Sequence, residues 1–190
     1  MAARTTARTR KEAPTSWPAG TVFTIGHSTL PIERFVALLE TYAIVQLIDV
    51  RKIPRSRHNP QYGCEALAES LADAGIEYRW LQALGGLHRS RADSPNGGWH
   101  NKSFRGYADY MQTDAFRHGV ETLIAISRHE RSAIMCAEAL PWRCHRSLVA
   151  DALSVRGVPT AEIFSETNCR LHKLTPFARV EGTQITYPPD

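Results

Sequence analysis

Two short apolar runs constrain this chain more than anything else in it. Val45-Gln-Leu-Ile-Asp-Val50 and Ala133-Ile-Met-Cys-Ala137 are of strand length, and neither alternates polar with apolar residues. A strand with one wet face alternates, whereas one buried on both faces reads as a nearly continuous hydrophobic run. Both runs therefore belong inside a sheet covered on two sides. Further strands are predicted over residues 21–25, 76–81 and 158–164, with a short one at 183–187. Between them the spacing predicts helices over about 31–41, 64–74, 103–111, 113–128 and 144–156. Ser28 or Thr29 is the expected cap of the first, with Pro31 in its first turn. Gly75 and Gly157 stand where helices stop. Strands alternating with helices imply an α/β fold: a single domain, mostly parallel, of about five strands with helices on both faces.

A chain of 190 residues holds one such domain, here 21–190, preceded by a basic stretch over 1–20 that reads as a disordered leader. That stretch lacks the apolar segment of a secretory signal, and its Arg/Thr-rich, acid-poor make-up is only loosely that of a transit peptide. No run approaches the roughly 18 apolar residues of a membrane span, so no membrane partner is expected. The formal net charge of +4 fits an anionic ligand without demanding a nucleic acid. Four cysteines, Cys64, Cys136, Cys144 and Cys169, show neither zinc-ribbon nor disulfide-framework spacing. Reduced thiols and a cytoplasmic location are the expectation.

In a parallel sheet the strands deliver their carboxyl ends to one edge, which is where ligands bind. The residues just past each predicted strand are Gly26-His27-Ser28, Asp49-Val50-Arg51, Leu84-Gly85-Gly86 and Cys136-Ala137-Glu138, the last running on to Cys144-His145-Arg146. Gly26 to Ser28 offers a turn, an imidazole and a hydroxyl at a helix start, where free N–H groups favour anions. An ordinary cap explains the same residues. Asp49 and Arg51 leave one strand on the same side, so the carboxylate either orients the guanidinium toward a substrate, acts as a base, or forms a structural ion pair. Arg55 and Arg57, with Ser56 and His58, make a basic loop able to fork around phosphate, or simply a solvated one.

Cys136, Glu138, Cys144, His145 and Arg146 form the densest group. A thiol near arginines at a helix start is acidified, which makes thiolate chemistry available. A phosphate-binding cysteine loop needs five residues between Cys and Arg; Cys136 and Arg143 are separated by six, including a proline. A metal set of Cys136, Cys144 and His145 suffers because neighbouring residues seldom share an ion. No fourth ligand is evident either, although His27 is a possible neighbour, so no metal is assigned. Cys136 also suits a plain core position. Glu138, His145 and Arg146 do not, since burying three polar groups at a corner is costly. Phe104-Arg-Gly-Tyr-Ala-Asp-Tyr110 interleaves aromatics and charge; packing explains the aromatics, while Arg105 is placed to reach the site.

Taken in order, Thr24-Ile-Gly-His-Ser28, Asp49-Val-Arg51, Pro54-Arg-Ser-Arg57, Leu84-Gly-Gly86, Phe104-Arg-Gly-Tyr-Ala108, Cys136-Ala-Glu138 and Cys144-His-Arg146 resemble the family known as domain of unknown function 488. The resemblance implies a compact α/β domain of bacterial cytoplasm and no particular activity.

The function these residues point to is an enzyme acting on a small anionic substrate, most simply a phosphate-bearing, nucleotide-like one. His27, Ser28, Arg51, Arg55, Arg57, Gly86, Arg105 and Arg146 are the candidates for holding it. Glu138 or Asp49 serves as acid or base, and His145 orients a partner or shuttles a proton. Cys136 or Cys144 is the candidate nucleophile. Two other classes stay open: a nucleic-acid-associated binding module, and a thiol redox or metal site on Cys136, Cys144 and His145. No cofactor is named by the sequence.

Overall fold

A computed structural model describes residues 17–189, so most of the expected leader lies outside the described residues. Its main sheet has six strands: β1 Val22–Gly26, β2 Gln46–Asp49, β3 Glu77–Trp80, β4 Ser132–Cys136, β5 Thr160–Ile163 and β6 Cys169–Leu171. Their order is β3-β2-β4-β1-β5-β6, with every pair parallel except β5–β6. The mostly parallel α/β architecture is thus present. The main sheet has one strand more than expected, because β6 returns antiparallel along β5. The strand anticipated at 183–187 is β8, Gln184–Thr186, but it pairs with β7, Arg179–Glu181, in a separate ribbon.

Side chains alternate across a strand, and here both sides are apolar. Phe23, Ile25, Leu47, Ala133 and Met135 face a core closed by α1, Ile32–Thr41, and α2, Cys64–Ala72. Val22, Ile48, Ile134 and Cys136 face the opposite core, under α3, Lys102–Tyr110, α4, Asp114–Ser127, and α5, Arg146–Ser154. The two central runs are unbroken because each supplies both cores.

Some local expectations shift. The first helix begins after Pro31, which makes no side-chain cap bond, and Ser28 instead takes a left-handed φ of 47°. Gly75 (φ 71°) and Gly157 (φ 72°) are left-handed after α2 and α5, as a residue without Cβ allows. The final helix starts at Arg146, two residues later than expected, because Pro141–Arg143 forms a separate 3₁₀ turn. The long loop after β3 is built around the buried carboxylate of Asp109, which accepts from Arg91 N (2.8 Å), Ser94 Oγ (2.5 Å) and Asn96 Nδ2 (2.8 Å).

The strand order creates a switch point. From β2 the chain moves outward to β3; from the adjacent β4 it moves the other way, past β1, to β5. The two connections diverge at the carboxyl ends of β2 and β4, the place where open α/β sheets bind ligands.

His172 fastens the C-terminal segment to α5 and β5. Its Nε2 lies 2.7 Å from Asp151 Oδ1 and its Nδ1 2.9 Å from Glu162 Oε1, while Tyr187 donates to Asp151 Oδ2 at 2.8 Å. Although burial opposes the charge, the bonds its ring N–H groups donate to the two carboxylates outweigh it and raise the imidazole to about 9. A raised folded-state value stabilises the fold fully below the unfolded value near 6.5, and that stability is lost as pH rises through about 9. Urea unfolding at pH 6.5 and pH 9.5 is expected to show wild type losing more stability at the higher pH than His172→Gln. Equal losses in the two proteins would refute the charged clasp.

Candidate active site

The corner begins with a glycine that nothing else can replace. A Cβ on Gly26 would lie 1.9 Å from the carbonyl oxygen of Glu138, so β1 and the loop after β4 touch backbone to backbone. The pairing continues past the strands: His27 N donates to Cys136 O (3.0 Å) and Ser28 N to Ala137 O (2.9 Å). His27 is thereby turned inward, buried, and stacked on Tyr62 with centroids 3.9 Å apart. Its Nδ1 is 2.8 Å from Ser28 O, an atom that only accepts, so Nδ1 carries the hydrogen. In the neutral ring Nε2 is then a bare lone pair, buried and without a partner among the described residues. Burial, with the charges of Arg51 and Arg146 adding to it, lowers this imidazole to about 4.

Asp49 and Arg51 are both buried and bonded to each other. Asp49 Oδ1 accepts from Arg51 N (3.0 Å) and Nε (2.9 Å); Oδ2 accepts from Arg51 Nη2 (2.5 Å) and from Tyr78 Oη (2.8 Å). Trp80 Nε1 donates to Arg51 O at 2.9 Å. With its oxygens so occupied, Asp49 orients Arg51 and is not free to serve as a base. Arg51 Nη1 is buried with no partner among the described residues. The burial of Tyr78 and its bond to the Asp49 carboxylate hold its phenol protonated, well above the usual range.

Arg146, 1% exposed, clamps the corner from α5. It donates to Thr24 Oγ1 (2.7 Å), Glu138 O (2.5 Å) and Cys144 Sγ (3.4 Å). The Cys144 thiol is pulled well below its normal range, first by its pairing with the Cys136 thiol and further by the charge of Arg146, against its burial. The Cys136 thiol, donor in that pair and buried, is pushed up. His145 places Nε2 3.0 Å from Val50 O and Nδ1 3.8 Å from Cys144 Sγ. Gly86 leaves room for this ring: a Cβ there would stand 3.0 Å from His145 Nδ1.

His27, Ser28, Asp49, Arg51, Gly86, Cys136, Cys144, His145 and Arg146 therefore gather at neighbouring strand ends. The other candidates sit differently. Glu138 contributes its carbonyl, and as a residue it is exposed. Arg55 and Arg57 are exposed on the loop after β2 and form no ion pair among the described residues. Arg105 serves the fold, donating to Trp99 O (3.0 Å) and Gly97 O (3.5 Å), because the loop folds back over the start of α3. Residues not among the candidates from the sequence also take part: Thr24, Tyr62, Tyr78 and Trp80. The register reveals Thr24, opposite Ile134, and Trp80, opposite Asp49, with Tyr78 on the same strand as Trp80; Tyr62 comes from the 3₁₀ turn at Pro60–Tyr62 and stacks on His27.

Together these features define an α/β domain with a buried polar site at a topological switch point. Residues 31–153 match the family described as domain of unknown function DUF488, and the chain belongs to that family. The matched span contains every strand-end group except Gly26-His27-Ser28. Comparison with curated proteins and with solved structures gives no match.

Removing one member of a buried ion pair strands the other, at about 3–5 kcal/mol, whereas replacing both partners costs less. Urea unfolding of Arg51→Met is expected to show a loss of that order, and the double variant Asp49→Asn/Arg51→Met a smaller one. A double variant as unstable as the sum of two singles would mean the pair is not coupled.

Proposed function

We propose that this protein is an enzyme acting on a small anionic, phosphate-bearing substrate, nucleotide-like in size, bound at the carboxyl edge of the sheet around Arg51 and His27. One observation carries the reading. Two buried polar atoms of complementary kind, the Arg51 Nη1 donor and the His27 Nε2 acceptor, lack partners among the described residues. Leaving such groups unmade costs about 1–3 kcal/mol each, more when charged, and a bound ligand would recover it. An oxyanion satisfies Arg51, and a proton on that oxyanion, or on an adjacent hydroxyl, satisfies His27.

In this scheme Asp49 and Tyr78 hold the Arg51 fork in place, Arg146 adds fixed positive charge, and the amide of Ser28 stays engaged with Ala137. His27 accepts the substrate proton in the reaction. A neutral imidazole beside two guanidiniums is a weak base while the site is free. Negative charge arriving next to it favours the protonated ring, so its basicity rises on binding. Glu138, exposed at the rim, is available as the second acid or base.

Two measurements test this. Thermal shifts with inorganic phosphate and with a nucleoside monophosphate are expected to stabilise wild type by about 2.7 kcal/mol at a hundredfold excess over Kd. Arg51→Lys keeps the charge but loses the fork, and is expected to weaken binding about tenfold, a difference of 1.4 kcal/mol. Sulfate does not titrate in the working range. Its affinity should therefore rise from pH 8 to pH 5 in wild type, as His27 takes up a proton, and stay flat in His27→Gln. Absence of stabilisation by any of these anions would end the proposal.

A further inference from the structure

The two thiols and the imidazole at the end of β4 have a separate use that does not depend on the anion reading. The geometry points to a site for one zinc-class divalent cation held by Cys136 Sγ, Cys144 Sγ and His145 Nδ1.

The ligand atoms of these three residues lie within 4.8 Å of one another. Zinc bonds sulfur at about 2.3 Å and imidazole nitrogen at about 2.0–2.1 Å, so tetrahedral donors stand roughly 3.5–3.8 Å apart. Cys144 Sγ and His145 Nδ1 are already at 3.8 Å. Adjacent residues can share an ion here because the backbone changes conformation between them. Cys144 is extended, with φ −135° and ψ 144°, and His145 helical, with φ −58° and ψ −13°.

The surroundings fit as well. Val50 O can only accept, so the hydrogen of neutral His145 sits on Nε2, and the Nδ1 lone pair points toward Cys144. A ligating histidine that gives its other N–H to a backbone carbonyl is the usual outer arrangement around zinc. Arg146 Nε donates to Cys144 Sγ at 3.4 Å, which orients that sulfur. Two thiolates and an imidazole are a soft-to-borderline donor set that selects zinc over magnesium or calcium. Loading expels whatever protons the two thiols hold, and the ion and two thiolates together are neutral. Three protein ligands leave the fourth position for water or an anion, as in catalytic zinc sites. The site adjoins the backbone of Val50 through His145.

The test is cobalt titration of the reduced full-length chain, followed by optical absorption, with zinc competition and metal analysis of protein purified without chelator. One equivalent of cobalt should give thiolate-to-cobalt charge transfer in the near ultraviolet and intense tetrahedral bands in the visible, both erased by zinc. Cys136→Ser, Cys144→Ser and His145→Ala should each weaken cobalt binding by at least about tenfold, the size of effect that even outer-shell partners carry. Cys64→Ser/Cys169→Ser should bind as wild type does. Circular dichroism checks that each variant folds; if Cys144→Ser does not, Cys136→Ser and His145→Ala carry the comparison. Absence of the charge-transfer band in folded, reduced wild type overturns the site, as does a band that survives in the folded ligand variants. Phosphate binding is scored separately, so either proposal can fail without the other.

Discussion

A single buried guanidinium holds together the corner where β1, the loop after β4 and α5 meet. Arg146 reaches from the first turn of α5 to β1 through Thr24, to the loop after β4 through Glu138 O, and to its own approach through Cys144 Sγ. Charge removed from water is expensive unless hydrogen bonds replace the solvent. Here neutral oxygens take up two of the bonds. Among the described residues, the only ionisable group Arg146 bonds is the Cys144 thiol, which is acidified first by Cys136 and further by the charge of Arg146. Gly26 belongs to the same device, because any side chain there would expel the carbonyl that Arg146 grips.

Around that clamp, charge and desolvation act on neighbouring groups in opposite directions. Asp49 is fully buried, yet it is bonded to Arg51 and Tyr78 and serves to aim the guanidinium. His27 is buried beside like charge and stays neutral, with its acceptor buried and unpartnered among the described residues. The pattern of groups satisfied on one side and open on the other separates this corner from the His172 clasp, where every polar atom of the ring is engaged. The clasp fastens the C-terminal segment; the corner is built around open valences.

Much of the corner was legible because a parallel sheet sorts residues by itself. Once Val45–Val50 and Ala133–Ala137 read as buried strands, the residues after them had to share an edge, and Asp49, Arg51, Cys136, His145 and Arg146 do. Roles were harder to read. Asp49 as a base and Arg105 as a ligand contact both looked reasonable until the hydrogen bonds assigned one to Arg51 and the other to loop carbonyls. The reservation against Cys144 and His145 sharing a centre rested on adjacency and on the lack of a fourth ligand; the backbone changes conformation between the two residues, which no local pattern announced. Tyr62, Tyr78 and Trp80 carried no signal, since an aromatic in a strand or loop reads as packing whether or not its polar atom reaches a carboxylate or carbonyl.

What the chain determined alone were the elements, the two-faced burial of the central strands and the edge at which polar groups emerge. Each follows from local periodicity and from the cost of wetting apolar surface. Strand order, the diverging connections of β2 and β4, the antiparallel sixth strand and the partner of every buried polar atom were decided only in three dimensions. Those depend on contacts between residues as far apart as Thr24 and Arg146, and no local pattern encodes which distant group will satisfy a given donor.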